Sequence, residues 1–159
     1  DPVEPLKIQT YSLLAELYRK KGVNEYSDKY FEKILEIQPD NLVIRNNYAY
    51  YLALRKYNLL KAKELSKYTI EKDPENATYL DTYGWVLYKL GKLEDAKEYI
   101  EKSIRNGAYN NPEVIEHYGD IMLELGRCKE ALEAYERIVD LDKKYEVDEK
   151  IERTKLICK

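Results

Sequence analysis

The chain has 159 residues, 36% of them charged, with a formal net charge of −3 and a mean hydropathy of −0.70. That length holds one ordinary domain or one short repeat array, and no run of about 18 apolar residues exists to cross a membrane. The acidic balance argues against general nucleic-acid binding, which needs a basic face to neutralise phosphates. Two cysteines, Cys128 and Cys158, do not make a disulfide framework or a zinc site. Neither a metal nor a cofactor is expected. Seventeen tyrosines stand against one phenylalanine. Tyrosine brings a large buried area, but its hydroxyl must reach water or a partner, which suits a thin, two-layer architecture. Asp1 opens the chain with no signal peptide ahead of it, which reads as a segment excised from a longer protein.

In chain order, residues 1–7, with Pro2 and Pro5, read as an extended lead-in. A helix then runs from near Leu6 to about Lys21, with Tyr11, Leu14, Ala15 and Tyr18 on its inner face, and Gly22 ends it. A second helix, Asn24 to Ile37, buries Ser27, Phe31 and Ile34 before Pro39 stops the unit. The next unit runs from Leu42 to Arg55 and from Leu60 to Glu71, closed by Pro74, with no glycine in its turn at Lys56. The third spans Ala77 to Arg105, and the connection Asn106 to Asn111 replaces a closing proline. In the fourth, Pro112 opens a helix that Gly126 ends, and Ala131, Tyr135 and Ile138 line its second helix. A last amphipathic segment, Val147 to Cys158, places Val147, Ile151 and Thr154 on one face and reads as a cap.

The units repeat. An apolar or aromatic residue followed by a small one appears as Leu14-Ala15, Tyr48-Ala49, Tyr83-Gly84 and Tyr118-Gly119, at intervals of 34, 35 and 35 residues. Tyr18, Leu52, Leu87 and Met122 follow at the same intervals. Helix pairs of this period, with a small residue where helices approach closely, resemble the tetratricopeptide repeat. The matches in the first unit are Leu14-Ala15, Tyr18, Gly22, Ser27, Phe31 and Pro39. In the third they are Tyr83-Gly84, Leu87, Gly91 and Ala96. The departures, at Lys56, at Asn106 to Asn111 and at Lys143 where a proline would close the fourth unit, all fall at connections and bear on local curvature.

The resemblance implies an all-α, right-handed solenoid forming one array over residues 1–159. Its repeats lie at about 8–41, 42–76, 77–111 and 112–145, with a capping helix at about 146–158. The phrases from Asn46 to Leu52, from Ala77 to Trp85 and from Glu116 to Asp120 are similar to those of Bacteroidetes tetratricopeptide proteins. Such proteins often carry a secretion signal and further repeats upstream. That likeness alone suggests a periplasmic or cell-envelope location, with the cytoplasm as the alternative.

The first helices of such an array line a concave groove. Offsetting from the packing face gives the candidate binding residues Asn46, Tyr50, Asp81, Trp85, Tyr88, Glu116 and Asp120, so the middle of the groove is aromatic and its C-terminal end acidic. Bland readings stand beside these. Trp85 is either inter-unit packing or an exposed anchor, and Tyr50 and Tyr88 are either spacers or ligand contacts. Asp81 either touches a ligand or hydrogen-bonds a neighbouring helix, for example at Asn46 or Asn47. Glu113, Glu116, Asp120 and Glu124 are either a solvated face or a recognition patch. His117, the only histidine, has no second ligand or nucleophile near it in sequence and reads as a surface or inter-repeat residue.

Enzyme signatures are absent: no phosphate loop, His-Glu-x-x-His pair or nucleophile elbow. The lysines and asparagines that clamp a peptide carboxylate in chaperone-binding members of the resembled family are missing, because Ser12, Glu16, Thr78 and Thr82 hold those positions. The expectation is a non-catalytic scaffold whose groove takes a basic and apolar peptide or protein surface. The alternative is a structural spacer or oligomerisation module, with a homo-oligomer as one form of it. Leu13 and Leu17 should lie exposed on the first helix, and Glu149, Glu152 and Lys155 should face outward from the cap.

Overall fold

A computed structural model describes residues 3–158. Among them the chain forms α1 (Glu4–Lys20), α2 (Asn24–Ile37), α3 (Leu42–Leu54), α4 (Leu59–Lys72), α5 (Ala77–Lys89), α6 (Leu93–Arg105), α7 (Pro112–Glu124), α8 (Cys128–Leu141) and α9 (Asp148–Ile157). A 3-10 turn, Ala108–Asn110, precedes α7, and no strand occurs among the described residues. Helices α1 to α8 form four helix-turn-helix pairs stacked in a right-handed solenoid, and α9 packs on α8 as a cap.

The start of α1 corrects one expectation. Residues 4–7 are helical rather than extended, with Pro5 in the first turn, where its missing N–H costs no helix bond. Asp1 and Pro2, at the start of that expected lead-in, lie outside the described residues.

The turns repeat because their backbone chemistry does. Gly22, Gly91 and Gly126 sit at φ 73°, 78° and 73°. That left-handed conformation lets the following N–H reach back to the helix: Val23 to Tyr18 O at 2.9 Å, Lys92 to Leu87 O at 2.9 Å and Arg127 to Met122 O at 2.8 Å. The second unit makes the same bond, from Tyr57 N–H to Leu52 O at 3.0 Å. There Lys56 takes φ 52° in the glycine's place, so the missing glycine leaves the turn's shape intact at the expense of backbone strain. Helix starts repeat as well. Asn41, Asn76 and Asn111 are the N-caps of α3, α5 and α7, and the side-chain oxygen of each accepts a backbone N–H from the first turn. The asparagines recur every 35 residues, a period the sequence carries beside the small-residue one.

Close approach is set by the small residues. A Cβ built on Gly84 would stand 2.8 Å from Ile100 Cδ1, and one on Gly119 would stand 2.5 Å from Tyr135 Cε1. Both are closer than real contacts allow, so α5 and α6, like α7 and α8, touch through these positions.

Helix α5 divides the interior. Every residue from Leu80 to Leu87 is buried. Trp85 and Val86 belong to one apolar cluster with Phe31, Ile34, Tyr48 and Leu52. Tyr83 and Leu87 belong to another with Ile100, Ile121, Met122 and Ile138. A helix apolar on all sides is one that other elements surround.

At the far end Cys128 and Cys158 are joined by a disulfide, with Cα atoms 5.8 Å apart. This corrects the reading of two unrelated cysteines. The fold turns α9 back along α8, so the end of the cap meets the start of α8 despite a sequence separation of 30.

Candidate functional site

The first helices α3, α5 and α7 carry the concave surface, and α5 sets its floor. From α5, Asp81 and Trp85 reach the neighbouring α7 at one residue. The His117 Nδ1–H donates to Asp81 Oδ1 at 2.8 Å, and the carboxylate acceptor fixes that tautomer. The imidazole also stacks on the Trp85 indole, with centroids 4.0 Å apart and planes at 20°. Burial pulls the imidazole pKa down, but the charge and hydrogen bond of Asp81 outweigh it, leaving His117 above its ordinary value. His117 is thus a buried inter-repeat residue and not a surface one.

The acidic end of the groove is occupied by the chain itself. The Lys150 ammonium, carried on the cap, lies 2.6 Å from Glu116 Oε1 and 2.8 Å from both oxygens of Asp120. The Tyr135 hydroxyl donates to Asp120 Oδ1 at 2.7 Å, and that of Tyr145 donates to Glu116. Burial pushes the Glu116 carboxyl up, yet hydrogen bonds from Lys150 and Tyr145 hold it below its usual range. Burial alone would lower Lys150, but Asp120 and Glu116 raise it. The disulfide ties down the C-terminal end of the helix that delivers this lysine.

The seven expected groove residues divide by burial. Asn46, Asp81 and Trp85 are 5%, 7% and 6% exposed, while Tyr50, Tyr88, Glu116 and Asp120 are half-buried. Tyr50, Trp85, Glu116 and Asp120 line one open cavity of about 420 Å³, together with Glu113, His117 and Lys150. Asn46 and Asp81 line an adjoining recess of about 340 Å³, which Tyr50 also borders. Tyr88 lines neither and instead stacks on Trp85 with centroids 4.8 Å apart.

As an exposed anchor, Trp85 is corrected. Its ring is covered by His117 and Tyr88, and the Lys89 ammonium lies 4.5 Å from its centroid. Asp81 does hydrogen-bond a neighbouring helix, but the partner is His117 rather than Asn46 or Asn47. Asn46 Oδ1 and Trp85 Nε1 are buried without a hydrogen-bond partner.

Sequence reasoning missed Lys150, and two further residues take contacts that spacing alone does not give. Glu113, read as part of a solvated face or a recognition patch, is exposed and accepts the hydroxyl of Tyr50 on α3. Arg19 reaches the open cavity from α1, its guanidinium 4.4 Å from the Tyr51 ring. Lys150 follows Val147 by three positions and precedes Ile151, so its place beside the cap's apolar face is readable, but the direction of the cap across the groove is not.

Among the described residues no group of histidine, cysteine or carboxylate side chains is arranged to hold a metal ion. Among the same residues no helix is long and apolar enough to cross a membrane.

Comparison with known proteins gives a consistent answer. A family model described as tetratricopeptide repeat matches residues 7–144. The chain is 31% identical over 113 residues to the TPR repeat-containing protein PA4667 of Pseudomonas aeruginosa, covering 71% of this chain and 18% of that one. It is 30% identical over 122 residues to the TPR repeat-containing protein MJ1428 of Methanocaldococcus jannaschii, covering 76% of this chain and 21% of that one. The chain therefore spans about a fifth of the length of these relatives. Among solved structures, the type IV pilus biogenesis factor PilW superposes with a TM-score of 0.81 at 19% identity, over 94% of this chain and 71% of that one. The protein TTC0263 of Thermus thermophilus superposes at 0.78 with 18% identity, over 94% and 81%. With its four helix pairs, its period and its matched span, the chain belongs to the tetratricopeptide repeat family, whose arrays serve as protein–protein interaction scaffolds.

Proposed function

We propose that the concave surface of α3, α5 and α7 binds a peptide or protein segment carrying Lys or Arg beside apolar residues, without catalysis. The observation that carries this is the make-up of the open cavity. Tyr50, Tyr51 and the exposed Leu54 offer apolar contact on one side, and Glu113, Glu116 and Asp120 offer carboxylates on the other. Tyrosine and leucine side chains supply contact area, and the carboxylates bias association toward basic partners and make it salt-dependent. Of the expected ligand contacts, Tyr50 acts directly, Glu116 and Asp120 act where a partner's cation displaces Lys150, and Asn46 and Asp81 line the adjoining recess. Trp85 acts as the wall that holds His117 and Tyr88 in place, and residues 1–159 work as one array.

The test is selection of displayed random peptides on the intact chain. Selected sequences should pair Lys or Arg with apolar residues, bind more weakly as salt rises, and lose binding to Tyr50→Ala and Glu113→Arg variants that keep their helical circular dichroism. Enrichment of acidic peptides, or binding unaffected by both variants, overturns the reading.

A second reading, an oligomerisation module, has its own observation. Leu6, Leu13 and Leu17 are each more than half exposed along α1. Sedimentation equilibrium decides it: self-association that Leu13→Lys abolishes supports this reading, and a monomer at all concentrations removes it.

A further inference from the structure

We infer that the recess between α3, α5 and α7 is a receptor for a lysine side chain of the bound partner. The inference rests on the groove reading above and assigns that partner's cation to a particular place. The recess holds about 340 Å³ and is lined by Asn46 and Tyr50 from α3, Thr78 and Asp81 from α5, and Asn111 and Glu113 at the start of α7. Asp81 and Glu113 are the charged groups of its wall, and both are carboxylates.

What singles the recess out is an unmet acceptor. Asn46 is 5% exposed, and its Oδ1 receives no hydrogen bond. A buried acceptor without a donor costs free energy that an arriving donor recovers.

Elsewhere in the molecule, carboxylates gathered between helices are met by a cation from the chain itself. Lys150 bridges Glu116 and Asp120, and Arg55 pairs with Asp28. No lysine or arginine lines the recess. Its carboxylates are held by other groups, Asp81 by His117 and Glu113 by the Tyr50 hydroxyl. Those bonds fix the two carboxylates in place and leave the wall without a resident lysine or arginine.

An alkylammonium fits this wall chemically. It has three donors and no acceptor, matching Asn46 Oδ1 and two carboxylates on different helices. An anionic group would be repelled, and an apolar one would leave Asn46 unmet. The same chemistry separates this place from the acidic end of the groove, where an incoming cation must first displace Lys150.

The probe is N-acetyl-lysine N-methylamide titrated into the intact chain and followed by two-dimensional NMR, with the norleucine analogue as the uncharged control. The expected result is saturable shifts of the amides of Asn46, Asn47, Thr78 and Asp81, with a dissociation constant on the order of 1 mM, and none with norleucine. Glu113→Gln, at an exposed position, should weaken the lysine probe several-fold, and Asn46→Leu should abolish its binding. No saturable shift, equal shifts with norleucine, or shifts centred on Glu116, Asp120 and Lys150 would each overturn the assignment. If selected peptides still bind the groove while the lysine probe is silent, the recess alone is wrong. A lysine probe that binds where peptides do not makes the wider groove reading the one that fails.

Discussion

The two ends of the array solve the same problem differently. At the N-terminal end, α1 buries a single residue fully, Ala15. It is held through tyrosine rings, with Tyr18 stacked on Tyr26 and Tyr30, and Tyr11 tilted against Tyr30. Its outer side leaves Leu6, Leu13 and Leu17 in solvent. At the C-terminal end, Val147, Ile151 and Thr154 bury the cap, Lys150 pins it to α7, and a disulfide fastens its last turn. Stability in a repeat array is close to a sum of units and nearest-neighbour contacts, so an end unit has half the neighbours of a middle one. Among the described residues covalent closure compensates at the C-terminal end of this segment, and no disulfide does so in α1 and α2. The N-terminal pair should therefore open first, and the capped pair should exchange its amide hydrogens nearly as slowly as α5.

The largest test of that contrast is Cys158→Ser. Removing a bridge across 30 positions should cost about 3.5 kcal/mol by the loop-entropy account. Hydrogen exchange should accelerate in α8 and α9 and leave α1 unchanged. Equal acceleration at both ends would mean that the array unfolds as one unit and that the contrast is illusory. Gly119→Leu strikes the same half through packing. A side chain there runs into Tyr135, and overpacking at this depth should cost about 3 kcal/mol, read as a fall in the denaturation midpoint.

The middle is probed by pH. Because Asp81 raises the folded His117 pKa above the ordinary value of about 6.5, the pair's stabilisation is complete below that pH. It is lost as pH rises through the folded pKa. Asp81→Asn should lower stability by about 2 kcal/mol below that window and flatten the slope across it. A slope unchanged in the variant would assign the titration to another group.

The smallest effect is a gain. Lys56→Gly relieves a left-handed residue and should stabilise the N-terminal half by about 1 kcal/mol, narrowing the difference between the ends.

The sequence made the array legible because its period is local. The pairs from Leu14-Ala15 to Tyr118-Gly119, and the turn glycines, act within one unit or between neighbours. Whatever depended on three or more elements meeting was not legible. Trp85 was placed on a groove-facing side because single-helix periodicity offers α5 an inside and an outside. Trp85 and Val86 lie off the Tyr83-Leu87 face and are buried as well, and that all-round burial follows from α5 having neighbours on every side. His117 could not be paired with Asp81 from sequence, since 36 positions separate them and the match depends on the rotation of two helices. The same holds for Lys150 and the Cys128–Cys158 bridge, which needed the direction in which the cap folds back. Among the seven expected groove residues, Tyr50, Tyr88, Glu116 and Asp120 are half-buried. Asn46, Asp81 and Trp85 are buried, a depth set by the neighbouring helices that spacing along one helix does not carry.

The seam between α5 and α7 sets the chain's one tryptophan against its one histidine. An excited indole gives up an electron readily to an imidazolium and poorly to a neutral imidazole. Light emission from Trp85 is therefore coupled to the proton on His117: dim while Asp81 holds the ring charged, brighter as pH rises and the ring neutralises. A cation that entered the recess inferred above and drew Asp81 toward itself would loosen that hold, and Trp85 would then report it without a label.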